Sequence, residues 1–473
     1  MSARLSRERR GIAAVLCAMA LVVLDAGLVA VALPTIGGDF GGPPANALLV
    51  VTAYQLALLV GLLPAAHVAD RVGHRRLFLG GIILFAGSAL LCALAPTLPL
   101  IVAARFLQGL GGAAIMALGV ALLRSLLGQD RLAAAIGWNA LVVASCSALG
   151  PALGALLLPV AGWRALFVIG LPAAVTAAIA AAALPAVKQA GRALDPLGIS
   201  LYAGAGACLV VGAEAARRAP LIALLLVAAG LALVAWLLAR ERGKEAPLVP
   251  FDLLSLQRFR ASATASVFFF TAQSAGLLAL PFHLQLSLGR NATVAGLLLA
   301  FWPLAVASIS PVASRLADHF SSASLCTVGA LMLAAGLAGS AFWPIDGGIA
   351  PLGAFALMSG AGFGLFQVPN NRTMFLAAPP SRSAAAGGVQ GSARLAGQTA
   401  GALILALVLS AAPMTVAPRL AFGLAAAAAL AAAWVNRRRK DVTPAVRSCA
   451  AIAAHATRFP VLPPGEPHGG ERG

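Results

Sequence analysis

The sequence predicts an all-α polytopic membrane protein with fourteen transmembrane helices, and three observations carry that prediction. Of its 473 residues, 60% are hydrophobic and only 10% charged, whereas about a quarter of a soluble domain is charged. Apolar runs recur along the chain, each long enough at about 1.5 Å per residue to cross a bilayer as a helix. Tyr is nearly absent and no ten-residue alternating segments occur, which argues against a transmembrane β-barrel.

The runs lie at 12–33, 47–67, 77–95, 99–123, 133–158, 163–184, 197–214, 220–239, 261–286, 293–313, 324–343, 350–369, 384–411 and 417–435. Arg4, Arg7, Arg9 and Arg10 precede the first run as they would precede a signal peptide. That run is too long, and no small-x-small cleavage site closes it, so it is read as a retained span. Six spans are expected in residues 1–190, an extra pair in 191–245, six more in 246–440, and a disordered tail in 441–473. The extra pair is joined by EAARRAP (Glu214–Pro220), and Arg240–Arg260 has room for a short surface helix. Glycines cluster within spans, as in Gly109–Gly119 and Gly360–Gly364, where small residues let membrane helices approach closely.

A net charge of +18 raises the question of nucleic acid. Most of the Lys and Arg fall in the N-terminus, the even-to-odd connections and the C-tail. That is the positive-inside bias, which places both termini in the cytoplasm and makes the lipid bilayer, not nucleic acid, the partner. Cys17, Cys92, Cys146, Cys208 and Cys326 lie in apolar runs and Cys449 in the tail, without metal or disulfide spacing. No cofactor is expected. The six His are scattered, with no H-E-x-x-H, which argues against an enzyme. No G-x-x-x-x-G-K-[ST] loop occurs, so ATP does not drive this chain from within.

Asp25 lies inside the first run, flanked by VVL and AGLVAVALP. An ionised carboxylate at mid-membrane costs at least about 3 kcal/mol unless a partner, a water-filled cavity or a bound proton relieves it. It lies about 12 Å below the outer end of its span, and Arg105 about 9 Å below that of the fourth, so the two can meet. A neighbouring cation favours the ionised carboxylate and burial the neutral one. In the reading preferred here Asp25 takes a proton outside and releases it inside, tuned by Arg105. A static ion pair, or an Asp25 that binds cationic substrate, remains open. Glu214 falls at the outer interface beside Arg217 and Arg218, as a solvated surface acid. Tyr54, Gln55, Gln108, Asn139, Gln273 and Arg394 are candidates for a substrate cavity. Arg394 is equally open to a gating or coupling role, or to a structural salt bridge.

An internal repeat is visible where ADRVGHRR (Ala69–Arg76) follows the second span and SRLADHF (Ser314–Phe320) the tenth. Such two-fold repetition is expected of secondary transporters, with the site between the halves.

ADRVGHRR resembles the signature turn of the major facilitator superfamily, matching at Asp70, Arg71, Gly73, Arg75 and Arg76. RFLQGLGGA resembles the fourth-span motif at Arg105, Gln108, Gly109 and Gly111. SALGPALGA resembles the fifth-span antiporter motif at Gly150, Pro151 and Gly154. LDAGLVAVALP resembles the first-span motif of the fourteen-span drug:proton antiporter branch, with Gly27 and Ala30 replacing its Thr and Asn. The resemblance covers about 15–411. It implies the major facilitator fold, two six-helix bundles plus two central helices, in a bacterial cytoplasmic membrane. It implies a cytoplasmic gate at Asp70–Arg76 and proton-coupled export of small lipophilic or cationic compounds by a monomer. A proton-coupled uptake symporter is the alternative.

Overall fold

In hydrocarbon no water satisfies a backbone N–H or C=O, so a long apolar run must close its hydrogen bonds within itself. The computed structural model describes residues 2–127, 132–185, 195–215, 219–241, 251–344, 347–378 and 383–439, and among them there is no strand. The chain begins with α1 (Ser2–Asp39), α2 (Leu49–Val72), α3 (His74–Leu94), α4 (Leu98–Leu127), α5 (Leu132–Val168) and α6 (Leu171–Ala180). A hairpin follows, α7 (Pro196–Ala215) and α8 (Pro220–Glu241). It ends with α9 (Gln257–Phe282), α10 (Ala292–His319), α11 (Ser322–Phe342), α12 (Ala350–Ala377), α13 (Ser383–Ala411) and α14 (Ala417–Arg437). The expected tail lies outside the described residues.

Among the described residues, 13 helices are long and apolar enough to cross a membrane. One of them, Leu149–Ala183, is two crossings. The Gly150 backbone lies against Leu24 and Gly27, and Gly154 against Leu28, so this stretch of α5 runs parallel to α1. At Gly162 the backbone takes φ +71, a conformation that favours glycine, and the chain reverses. Beyond it Gly170 meets Leu21, and the Ala173 carbonyl accepts from Cys17 Sγ, so contacts now descend α1. The fourteen expected spans are therefore present. An even number returns the chain to the face where it began, here termed basal, opposite a distal face.

The two halves repeat one packing scheme. First helix packs on fifth (α1 on α5, α9 on α13), second on fourth (α2 on α4, α10 on α12), and third on fourth (α3 on α4, α11 on α12). Glycines make the repeated crossings close. A Cβ on Gly109 would meet the Tyr54 carbonyl, as one on Gly360 would meet that of Trp302. Gly81 and Gly111 interlock α3 with α4, as Gly329 and Gly362 do α11 with α12. The halves meet where α5 lies on α10 and α2 on α13, and α7 leans on both α2 and α13. Outside, α8 exposes Leu221, Leu224, Leu225 and Leu231, an apolar surface suited to lipid.

Candidate functional site: a buried carboxylate–guanidinium pair

Asp25 sits near the middle of α1, where α1 crosses both α4 and α5. Two residues on, Gly27 permits the tightest part of the α5 crossing. A Cβ there would stand 2.8 Å from Pro151 Cδ and 3.0 Å from the Gly150 Cα. The Gly27 that departs from the family's Thr is thus matched to the Gly150–Pro151 segment. The other face of α5 meets the second half. Gly296 of α10 lies on Ala155 and the Pro151 carbonyl, and Thr293 Oγ1 donates to the Ala155 carbonyl at 3.3 Å.

The structure brings Asp25 and Arg105 together, with Arg105 Nη1 2.5 Å from Asp25 Oδ2. Gln108, one turn further along α4, completes the group. Its Oε1 accepts from Arg105 Nη1 at 2.7 Å, and its Nε2 donates to Asp25 Oδ1 at 3.0 Å. Arg105 Nε donates to the Val50 carbonyl at 3.3 Å, and the guanidinium lies 4.1 Å from the centroid of the Tyr54 ring. Asp25 is 5% exposed, Arg105 1% and Gln108 fully buried. Each carboxylate oxygen therefore has its own donor, as a desolvated anion requires. Asp25 also borders a small cleft between α1, α3 and the Leu166–Ala174 segment, walled by Leu24, Leu28, Phe85 and Phe167.

Gln108 and Tyr54, two of the cavity candidates, pack against Arg105. Sequence spacing held the clue for Gln108, because a residue three after Arg105 shares its helical face. The second half repeats the scaffold without the charges. Where Arg105 stands one turn before Gly109, Ala356 stands one turn before Gly360. A different polar group closes the base of that half. Arg439 Nη1 donates to Ser262 Oγ at 2.8 Å, and Asn370 Nδ2 to Ser266 Oγ at 2.7 Å.

Of the other sequence candidates, Gln55 and Gln273 each keep a buried amide oxygen without a partner. The salt bridge considered for Arg394 is not present among the described residues. The side chains of Asp70 and Asn139 lie outside the described residues. Glu214 is half-buried rather than fully solvated, with one oxygen shielded. At the basal turn Gly73 adopts φ +101, with Arg71 and Arg76 exposed and Arg75 half-buried. Nothing stands within 4 Å of a Cβ built on Gly73, so any cost of Gly73→Ala comes from the backbone alone. That variant should lose about 1–3 kcal/mol, read as a lower unfolding temperature in detergent.

At the distal face Trp163 Nε1 donates to Asp39 Oδ2 at 2.6 Å, and Arg164 lies 4.2 Å from the Trp163 ring centroid. The end of α1 is thereby tied to the turn at Gly162.

A model described as Major Facilitator Superfamily matches residues 15–402. The chain is 36% identical to the uncharacterized transporter YebQ of Escherichia coli (strain K12), over 83% of its own length and 87% of that protein's. It is 32% identical to the tetracenomycin C resistance and export protein of Streptomyces glaucescens, covering 84% of the chain and 75% of that protein. It is 31% identical to multidrug resistance protein Stp of Mycobacterium tuberculosis (strain ATCC 25618 / H37Rv), covering 83% and 74%. In fold it resembles a POT family transporter crystallised with a thioalcohol-conjugated peptide. The TM-score is 0.71 at 14% identity, covering 90% of this chain and 95% of that one.

Proposed function

The chain belongs to the major facilitator superfamily, and from that premise we propose a proton-coupled antiporter that exports small lipophilic or cationic compounds by alternating access. The observation that carries this reading is the buried Asp25–Arg105–Gln108 group, confined to one of two otherwise repeated halves. Relatives named for tetracenomycin C export and for multidrug resistance support the direction and the cargo class.

The chemistry follows from hydrogen-bond polarity. The Gln108 amide accepts from Arg105 and donates to Asp25, an arrangement in which the ionised carboxylate accepts at both of its oxygens. A proton arriving on Oδ1 would set two donors face to face. The amide would have to turn over, presenting its NH₂ to a guanidinium that can only donate. In this reading protonation removes the charge that holds Arg105 and so weakens the group, loosening α1 from α4. Deprotonation on the other side rebuilds it. In this reading Asp25 is the proton carrier and Arg105 sets how firmly the proton is held. Gly150, Pro151 and Gly154 keep α5 close to α1, and Asp70, Arg71, Gly73, Arg75 and Arg76 latch the basal ends of the bundles. Residues 1–190 and 246–440 move as two bodies, and 191–245 is the added hairpin. Both termini face the cytoplasm of a bacterial inner membrane, and the working unit is a monomer.

The test uses everted vesicles with an acid lumen and a panel of lipophilic cations and aromatic antibiotics. Addition of a transported compound is expected to carry it into the lumen while protons leave, read as recovery of a quenched pH dye. Cargo leaving the lumen together with protons would instead establish an uptake symporter.

A further inference from the structure

Arg394 is a membrane-embedded cation to which no described residue supplies an anion. Its Nε is buried without a hydrogen-bond partner, and it makes no ion pair with a described residue. Its position on α13 follows from two glycines. A Cβ built on Gly391 would stand 3.1 Å from Leu62 of α2, and one built on Gly397 2.8 Å from Phe270 Cβ of α9. Each is three residues from Arg394, so each lies about 60° away around the helix, on opposite sides. Arg394 is therefore centred on the wedge between α2 of the first half and α9 of the second.

The faces bordering that wedge are polar and partly open. Gln390, Arg394 and Gln398 recur every fourth residue along α13 and all three are half-buried, while Gly391, Ala393, Leu395 and Gly397 between them are buried. Opposite them, Gln55 and Leu59 of α2 are also half-buried, and Gln55 Oε1 lacks a partner. Carboxylates are missing from the surroundings. Helices α9, α12 and α14, all packed on α13, contain no Asp or Glu. On α2 the sole acid is Asp70, at the basal end beyond the Leu62 level. On α7 Glu214 stands near the distal end, 12 residues beyond Tyr202, which packs on the Ser392 side of α13. Asp25 is committed to Arg105.

The geometry points to Arg394 as the anchor for an acidic group on the cargo, so that the transported class is lipophilic compounds bearing one carboxylate or an equally acidic hydroxyl. This rests on the wedge being part of the transport pathway. A guanidinium left without a counterion in the membrane is costly, and a ligand anion relieves that cost while amides and leucines take the rest of the molecule. A cationic cargo would meet the same guanidinium as a repulsion. The assignment thus narrows the lipophilic-or-cationic expectation to lipophilic acids.

Purified protein in detergent is tested by equilibrium binding with a naphthoate, the matching naphthamide and the matching naphthylmethylammonium ion. The naphthoate is expected to bind wild type about ten- to a hundredfold more tightly than the amide, the range for a charge-assisted hydrogen bond. Arg394→Gln should erase the preference, and Arg394→Lys should retain part of it. Equal binding of acid and amide, tighter binding of the ammonium ion, or no binding of the naphthoate by wild type would overturn the assignment. So would a Gln variant that keeps the preference. Should that variant fail to fold, the wild-type comparison and the Lys variant still decide. Acid preference without proton coupling would overturn the antiport reading alone, and proton-driven export without acid preference would overturn this one alone.

Discussion

Asp25→Asn is expected to reduce proton-driven export to the level of vesicles lacking the protein. Asn is nearly isosteric and still accepts from Arg105, but it neither takes up a proton in this range nor balances the guanidinium. Leaving Arg105 buried without its counterion should also destabilise the protein by about 3–5 kcal/mol. The double variant Asp25→Asn/Arg105→Gln separates the two consequences. It removes both charges, so it should recover much of the lost unfolding temperature while remaining inactive in pH-driven transport. Were the pair only a static clasp between α1 and α4, the double variant would transport as well as it folds. The measurement is paired: unfolding temperature in detergent and cargo movement under an imposed pH gradient, for both variants in parallel.

The second large effect is steric. Gly27→Val and Gly150→Val should each abolish transport and lower stability by at least about 1–3 kcal/mol, the usual cost of overpacking. At both positions the added Cβ would meet backbone, 3.0 Å from the facing glycine's Cα, and backbone cannot rotate aside. Gly154→Ala should be milder, since its new Cβ would lie 3.3 Å from the Leu28 carbonyl. Gly27→Thr is the most instructive member. It restores the residue of the family's first-span pattern, yet in this chain it should be as damaging as Val. An unfolding-temperature series across these four variants checks the order, and a tolerant Gly150 would sink the argument.

Much of the fold was legible because lipid removes choices. An apolar run that cannot hydrogen-bond to solvent becomes a helix whatever its propensities, so the spans could be listed from hydropathy alone. The sequence reading separated 133–158 from 163–184, and the backbone breaks between them at Gly162, with φ +71. Depth along a helix is also readable at a fixed rise per residue, and it brought Asp25 and Arg105 to one level across 80 positions of sequence. Rotation about the axis was read less well. Gln108 and Tyr54 were candidates for a cavity, and both face Arg105, a neighbour that hydropathy does not name. Gly27 was read only as a departure from the family's Thr, and its meaning depended on a second residue, Gly150, that only packing could pair with it. The asymmetry of the halves was hidden for a related reason. The repeat is carried by glycines, which match, while the charges that distinguish the halves stand one turn away.

The placement of α5 has a mechanical consequence. One of its faces touches α1 beside Asp25 and the other touches α10 of the second half, through Gly27, Gly150, Pro151, Ala155 and Gly296. Long side chains at such contacts would absorb a small displacement by changing rotamer. These have almost no rotamers to change, so the seam is stiff in compression yet smooth along its length. In the proposed cycle a small shift of α1 on breaking of the Asp25 group would be passed across α5 rather than dissipated in it. The helix works as a short push-rod between the halves, and its stiffness comes from the absence of side chains.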